Sequence, residues 1–407
     1  PEILEKLFRE NQKVFESDFE TALPEIKDTE MAKFWKARLD FGKTTERMKL
    51  PAIQEISSTI IVCLITVFLI KLPDLLHIDL SASLFYEKNL AIVVFFGLTL
   101  FTLWINKIEN QRRLLLTAVA FLIPLVYINL LPVGKSASVN LAYIHLPLLM
   151  WCIYGIVFTG FDFKSRSKRI DFIRFNGDLV VIYAIIAIAG GILTVITVGL
   201  FHAIGFNIQK FYTNNIIVAG AVAAPVVGVF IIRNFTTLTN RIAPLIAAIF
   251  SPLVLVTLVV YLVAMAISGK DPYNDRDFLM IFNIMLIGVM GIIVFSVSET
   301  SVAKNQKFNQ LVLFLLSIVT IVIDLIAVSA IFYRLGEFGV TPNRLAILVS
   351  NILILVNLIL IMIDLFRINF RKGNFEIVEI SVAKFIPVYL AWIMIVIFLF
   401  PLLFGMK

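Results

Sequence analysis

Eleven long apolar runs, each about twenty residues and separated by short polar turns, fill this chain from residue 56 onward. A helix needs about 20 residues to cross a hydrocarbon core of about 30 Å. Inside that core every backbone N–H and C=O must find its partner within the protein, which leaves helices and closed barrels. Barrel strands would read as alternating segments of about ten residues; these runs are continuous and twice as long. They fall at roughly 56–76, 89–106, 114–132, 139–161, 178–203, 215–233, 243–267, 278–297, 310–333, 343–367 and 385–405. The expected fold is all-α: a polytopic transmembrane helical bundle of about eleven spans occupying residues 51–407, preceded by a short amphipathic segment, 1–50. Only 15% of the 407 residues are charged, against about 25% in soluble domains.

Lys and Arg collect on the cytoplasmic side of membrane proteins. If the N-terminus lies inside, 26 of the 35 Lys and Arg fall in inner segments, most densely at "KSRSKR", residues 164–169. The expectation is therefore N-terminus cytoplasmic and C-terminus outside. The formal net charge of +7 then lines the inner membrane face, so the implied partner is the lipid bilayer and not nucleic acid.

Residues 1–50 carry 10 basic and 11 acidic groups, yet their apolar residues are periodic. Leu4, Leu7, Phe8, Val14, Phe15 and Phe19 recur at helical spacing until Pro24 interrupts them. Asp28 or Thr29 can cap a second helix, with Met31, Phe34, Trp35 and Leu39 along one face. A membrane-surface helix usually has a basic polar face; this pair is balanced. It suits a lid on the bundle's loops, or a platform docking a protein partner through Phe34, Trp35 and Leu39.

No nucleotide-binding loop, nucleophile elbow, zinc-protease motif or catalytic acid pair occurs. Cys63 and Cys152 lie within apolar runs, and His77, His145 and His202 are scattered. The reading is no metal, no cofactor and no enzyme motif.

Polar residues inside the runs carry the remaining information. Asp324 sits near the middle of its span, where an ionised Asp costs about 2.5–3.5 kcal/mol on insertion scales. Ser317 and Thr320 share its helix face. On the next span Asn343, Ser350, Asn357 and Asp364 recur every seven residues, a period from which a straight helix drifts by only about 20°. Asn351 lies beside that stripe. With a short turn between the two spans, Asp324 is expected near the depth of Ser350 and Asn351 and hydrogen-bonded by them. Such a cluster is either interhelical glue or a proton or cation site on a path. In the turn itself, "YRLGEFGVTPNRL", Thr341-Pro342 marks a helix start. Arg344 in that first turn opposes the helix dipole, so it is expected to pair with Glu337, or with Arg334 to hold an anion. Further upstream "AGAVAAPVVG", 219–228, combines small residues that let helices approach with a mid-span proline.

The segments "GKDPYNDRDFLMIFN", "FGVTPNRLAILVSNILILVNL" and "PVYLAWIMIVIFLFPLLFG" resemble an uncharacterised family of bacterial polytopic membrane proteins, a domain of unknown function marked by the T-P-N-R helix start. The similarity runs from about residue 170 to the end and more weakly upstream. It implies a bacterial inner-membrane protein and brings no activity, cofactor or site residue with it. The functions in view are a small-solute or ion transporter or channel-like protein using Asp324, Ser350, Asn351 and Asn357; a scaffold recruiting a partner through the N-terminal helices; and a lipid-handling protein using Arg334 and Arg344.

Overall fold

The structure, a computed structural model, describes residues 4, 5, 7, 8, 12–26, 29–46, 53–77, 84–134, 136–203, 207–268, 273, 276–300, 307–371 and 375–406. Helix accounts for nearly all of them, and no strand occurs among the described residues. The chain divides into two compact units, Pro1–Ala52 and Ile53–Lys407.

In the first unit, α1 (Gln12–Ile26) and α2 (Glu30–Glu46) form a pair. Thr29 caps α2, its hydroxyl accepting from the Ala32 N–H at 3.2 Å; Asp28 lies outside the described residues. Phe15, Phe19, Ala32, Trp35 and Leu39 are packed together as a small core. The Trp35 ring lies 4.8 Å from Phe15 and 5.4 Å from Phe8. This corrects the expectation of one exposed docking face. Trp35 is 2% exposed and Leu39 is buried, while Phe34 is 58% exposed. Position i and position i−1 on a helix differ by about 100°, so Trp35 turns to the partner helix and Phe34 turns away. Pro24 stays inside the last turn of α1 and does not end it.

The second unit comprises α3 (Ile53–Leu75), α4 (Phe85–Ile105), α5 (Gln111–Leu130), α6 (Ala137–Phe158), α7 (Arg166–Ala203), α8 (Gln209–Asn234), α9 (Thr236–Ser268), α10 (Arg276–Thr300), α11 (Lys307–Phe338), α12 (Pro342–Arg371) and α13 (Glu376–Leu403). Ten of these are long and apolar enough to cross a membrane, and α10 contributes a shorter apolar stretch, Phe282–Ser298, among its described residues. The chain is a multi-pass membrane protein. Successive helices alternate direction, so α3 starts on one face, here called the first face, and ends on the second.

Polar caps set several boundaries. Asn110 accepts from the Arg113 N–H at the start of α5, and Ser136 accepts from the Val139 N–H at the start of α6. Thr341 accepts from the Arg344 N–H, with Pro342 in the first helical position. In α13 a π turn at Ile395–Leu399 directly precedes Pro401. A proline lacks the N–H of the regular ladder, and a wider turn accommodates the loss.

Small residues bring α3, α4, α7 and α8 together. A Cβ on Gly97 would fall on Thr66, and one on Gly228 would meet Leu179 at 2.8 Å. The largest core cluster instead joins α9 to α13 and includes Phe282, Leu316, Ile323, Leu358, Ile361 and Val382.

Candidate functional site

Between α6, α7, α10, α12 and α13, with Phe250 of α9 at its edge, lies a cavity of about 700 Å³. Its walls are mostly aliphatic and aromatic. His145, Trp151, Asn176, Ser296, Ser350, Asn357, Tyr389 and Trp392 supply the polar atoms. Among the described residues lining it, none carries an acidic, Lys or Arg side chain.

The polar stripe of α12 reaches this cavity, but its partners sit on α13. Trp392 Nε1 donates to Ser350 Oγ at 2.9 Å. Asn357 Nδ2 donates to Tyr389 Oη at 3.0 Å. Ser381 Oγ donates to Asp364 Oδ2 at 2.5 Å, and Arg367 completes that carboxylate's shell at 3.1 Å. The seven-residue repeat is thus an α12–α13 seam. Asn351, displaced to another face, donates to Asn283 of α10 at 2.7 Å.

Asp324 is fully buried, and neither of its carboxyl oxygens has a hydrogen-bond partner among the described residues. The expected bonds from Ser350 and Asn351 are not made. The reason is register. The apolar run stops near residue 333, but the hydrogen-bonded helix α11 continues to Phe338 and turns at Gly339, whose φ of 71° is open to glycine. Asp324 is 14 residues from that end, and 14 residues into α12 comes Val356, beside Asn357. Asn357, 1% exposed, is the residue level with Asp324, and its Oδ1 is also buried without a partner. Tyr389 lies within electrostatic reach of Asp324. Three acceptor atoms without donors therefore share one depth, immediately behind the cavity wall. Thr320 and Ser317 do not extend this group, because each hydroxyl donates to its own helix, at Leu316 O and Phe314 O.

The turn before α12 also differs from expectation. Arg344 does not pair with Glu337; its Nη1 donates to Phe338 O and Gly339 O, both at 2.8 Å. Those carbonyls are the unsatisfied C-terminal end of α11, where a cation is favoured. Phe338 lies beneath both guanidinium groups, 5.9 Å from Arg334 and 5.4 Å from Arg344.

Sequence reasoning missed the cavity's first-face closure. Arg174 of α7 donates to Ser298 O of α10 at 3.0 Å and to Glu379 of α13 at 3.3 Å. It also missed His145, whose Nδ1 sits 2.8 Å from Leu141 O. A carbonyl can only accept, so Nδ1 carries a proton, and in the neutral ring Nε2 is then a bare acceptor. A lone His in a span gave no spacing signal, since its cavity partners lie on helices far away in sequence.

No family model, curated protein or solved structure matches the chain.

Proposed function

We propose that the chain is a carrier that binds its solute in the central cavity and exchanges a proton at Asp324. The carrying observation is the pairing of a cavity of about 700 Å³, open at one side, with an unpartnered acid within electrostatic reach of its wall residue Tyr389. Cavities of about 300–1,000 Å³ are the size of small-molecule sites. Among the described residues nothing bonds to Asp324 to compensate a charge there, and a buried uncompensated charge costs several kcal/mol. The charged form therefore requires an arrangement in which water or a donor reaches the carboxyl. That requirement ties proton release to a change in helix packing, which is the coupling a carrier needs. The bacterial inner membrane, with the first face cytoplasmic, belongs to the same proposal. It draws on the charge bias and on the family resemblance. A scaffold role has less support, because two of its three docking residues, Trp35 and Leu39, are spent in the core of the first unit.

Spin labels test this reading. One pair, at Lys164 and Ile377, reports the first face, and another, at Val133 and Val340, reports the second. A carrier gives two distance populations whose weights move in opposite senses on the two faces as pH changes, and Asp324→Asn removes the pH response. Single, pH-invariant distances on both faces would defeat it.

A further inference from the structure

The cavity's chemistry goes beyond transport in general. We infer that its ligand is an uncharged lipid with a hydroxyl or ester head, taken sideways from the bilayer between α6 and α7. As the substrate class of a carrier, this rests on the reading above; as a binding site, it stands by itself.

The lining determines the charge. An ionic head entering a mostly apolar chamber would need a counter-charge, and no described lining residue provides one. Polar groups are present in a different pattern. Ser350 accepts from Trp392 and Tyr389 accepts from Asn357, so each of these hydroxyls retains a proton to donate. In its neutral form the His145 ring offers Nε2 as an acceptor, while Asn357 Oδ1 lies behind the wall with Asp324. Two hydroxyl donors and one imidazole acceptor match a head made of hydroxyl and carbonyl groups.

Entry is decided by how α6 and α7 diverge. Near the first face they are held by aromatic contacts, Trp151 and Tyr154 against Phe172 and Phe158 against Phe175. Toward the second face α7 loses its neighbours, and from Ala184 to Leu193 every residue except Ile186 is exposed. Of the cavity residues at this opening, Leu148 of α6 and Val180 of α7 are exposed, Val180 by 67%, and Ile287 of α10 and Phe250 of α9 are exposed as well. Above them are aliphatic side chains such as Ile144 and Ile188. The way in is apolar and opens at membrane depth. On the first face the Arg174 bonds to α10 and α13 obstruct an aqueous approach. A whole two-chain lipid exceeds a drug-sized chamber, so the head and upper chain would occupy it while the remaining chain trails through the opening. Another transmembrane helix is a poor occupant, being about 10 Å across and running the full bilayer depth.

Two of the four tryptophans, Trp151 and Trp392, line the cavity and serve as reporters once Trp35 and Trp104 are replaced by Phe. The protein is placed in nanodiscs of ordinary phosphatidylcholine and titrated with diacylglycerol, phosphatidylcholine or phosphatidic acid bearing dibrominated chains, which quench indole on contact. The expected result is saturable quenching by the diacylglycerol at a mole fraction at least tenfold below that of the other two. Ser350→Ala and Tyr389→Phe should each raise the half-saturating fraction about tenfold, the worth of one hydrogen bond. Ser350→Ala removes one oxygen from a half-buried side chain and keeps the test available if Tyr389→Phe does not fold. Quenching that rises linearly and equally for all three lipids reports bulk contact and overturns the proposal, as does a preference for phosphatidic acid. Saturable quenching with invariant spin-label distances would support the site while removing the carrier. Alternating distances without saturable quenching would overturn the lipid and leave the carrier.

Discussion

The α4–α5 seam, where buried Asn89 meets exposed Asn129, and the α11–α12–α13 core both set amides between helices, and they treat them in opposite ways. In the seam, Asn89 and Asn129 donate to each other's Oδ1 at 3.1 and 2.8 Å. Each also donates to a carbonyl of its own helix, Phe85 O and Leu125 O. Nothing is left over. In the core, Asn357 makes one bond to Tyr389 and keeps Oδ1 without a donor, while Asp324 has none. A satisfied polar pair fixes helix register; an unsatisfied one holds a binding capacity at the expense of stability. The same contrast recurs within one stripe of α12, where Asp364 is fully partnered and Asn357, one heptad earlier, is not.

The largest effect should separate close packing from cavity wall. Gly97→Ala drives a Cβ into the buried Thr66 and should cost about 2–3 kcal/mol through overpacking. Gly177→Ala meets the ring of Phe295, which borders the cavity and has room to swing, so the cost should be about 1 kcal/mol. Equal losses in detergent unfolding would mean that the cavity wall is as rigid as the seam.

Next comes the polar contrast itself. Asn129→Leu strands the amide of Asn89 and should destabilise by about 1–2 kcal/mol. Asp324→Leu removes two unpartnered acceptors and should be neutral or stabilising by up to about 1 kcal/mol. A large loss in Asp324→Leu would show that the acid holds the bundle together and would erase the distinction. Trp392→Phe, which removes the donor to Ser350, should cost about 0.6 kcal/mol while freeing the Ser350 hydroxyl's acceptor side.

The smallest effect belongs to the exposed turn between α6 and α7. Lys168 donates to Asp162 at 3.0 Å, and that hydrogen bond holds the Asp162 carboxyl below its ordinary range. A depressed carboxylate stabilises the fold above its unfolded-state value and loses that contribution as pH falls through the folded value. Being exposed, it should be screened by salt. The pH response of unfolding in this acid window should therefore change only slightly in Asp162→Asn, and less still at high salt.

Much of this was legible along the chain because hydrophobic length and period are local properties. The eleven runs correspond to eleven helices, Thr341-Pro342 does begin α12, and the Ser350–Asn357–Asp364 repeat does mark one buried helix face. Local pattern could not say which neighbour that face meets. A short turn points to α11, whereas the partners lie on α13. Charge was equally misleading at Arg334 and Glu337, which read as the end of a span although the helix ladder continues past them to Phe338.

The sequence by itself determined that the chain crosses a membrane many times as helices, since twenty-residue apolar runs have no other way to satisfy their backbones in lipid. Only the tertiary structure decided that Asp324 would stand level with Asn357 and that α6 and α7 would part beside a cavity. Those outcomes depend on how helix lengths set depth and how side chains from five helices close around a space, and neither quantity is written in any single segment.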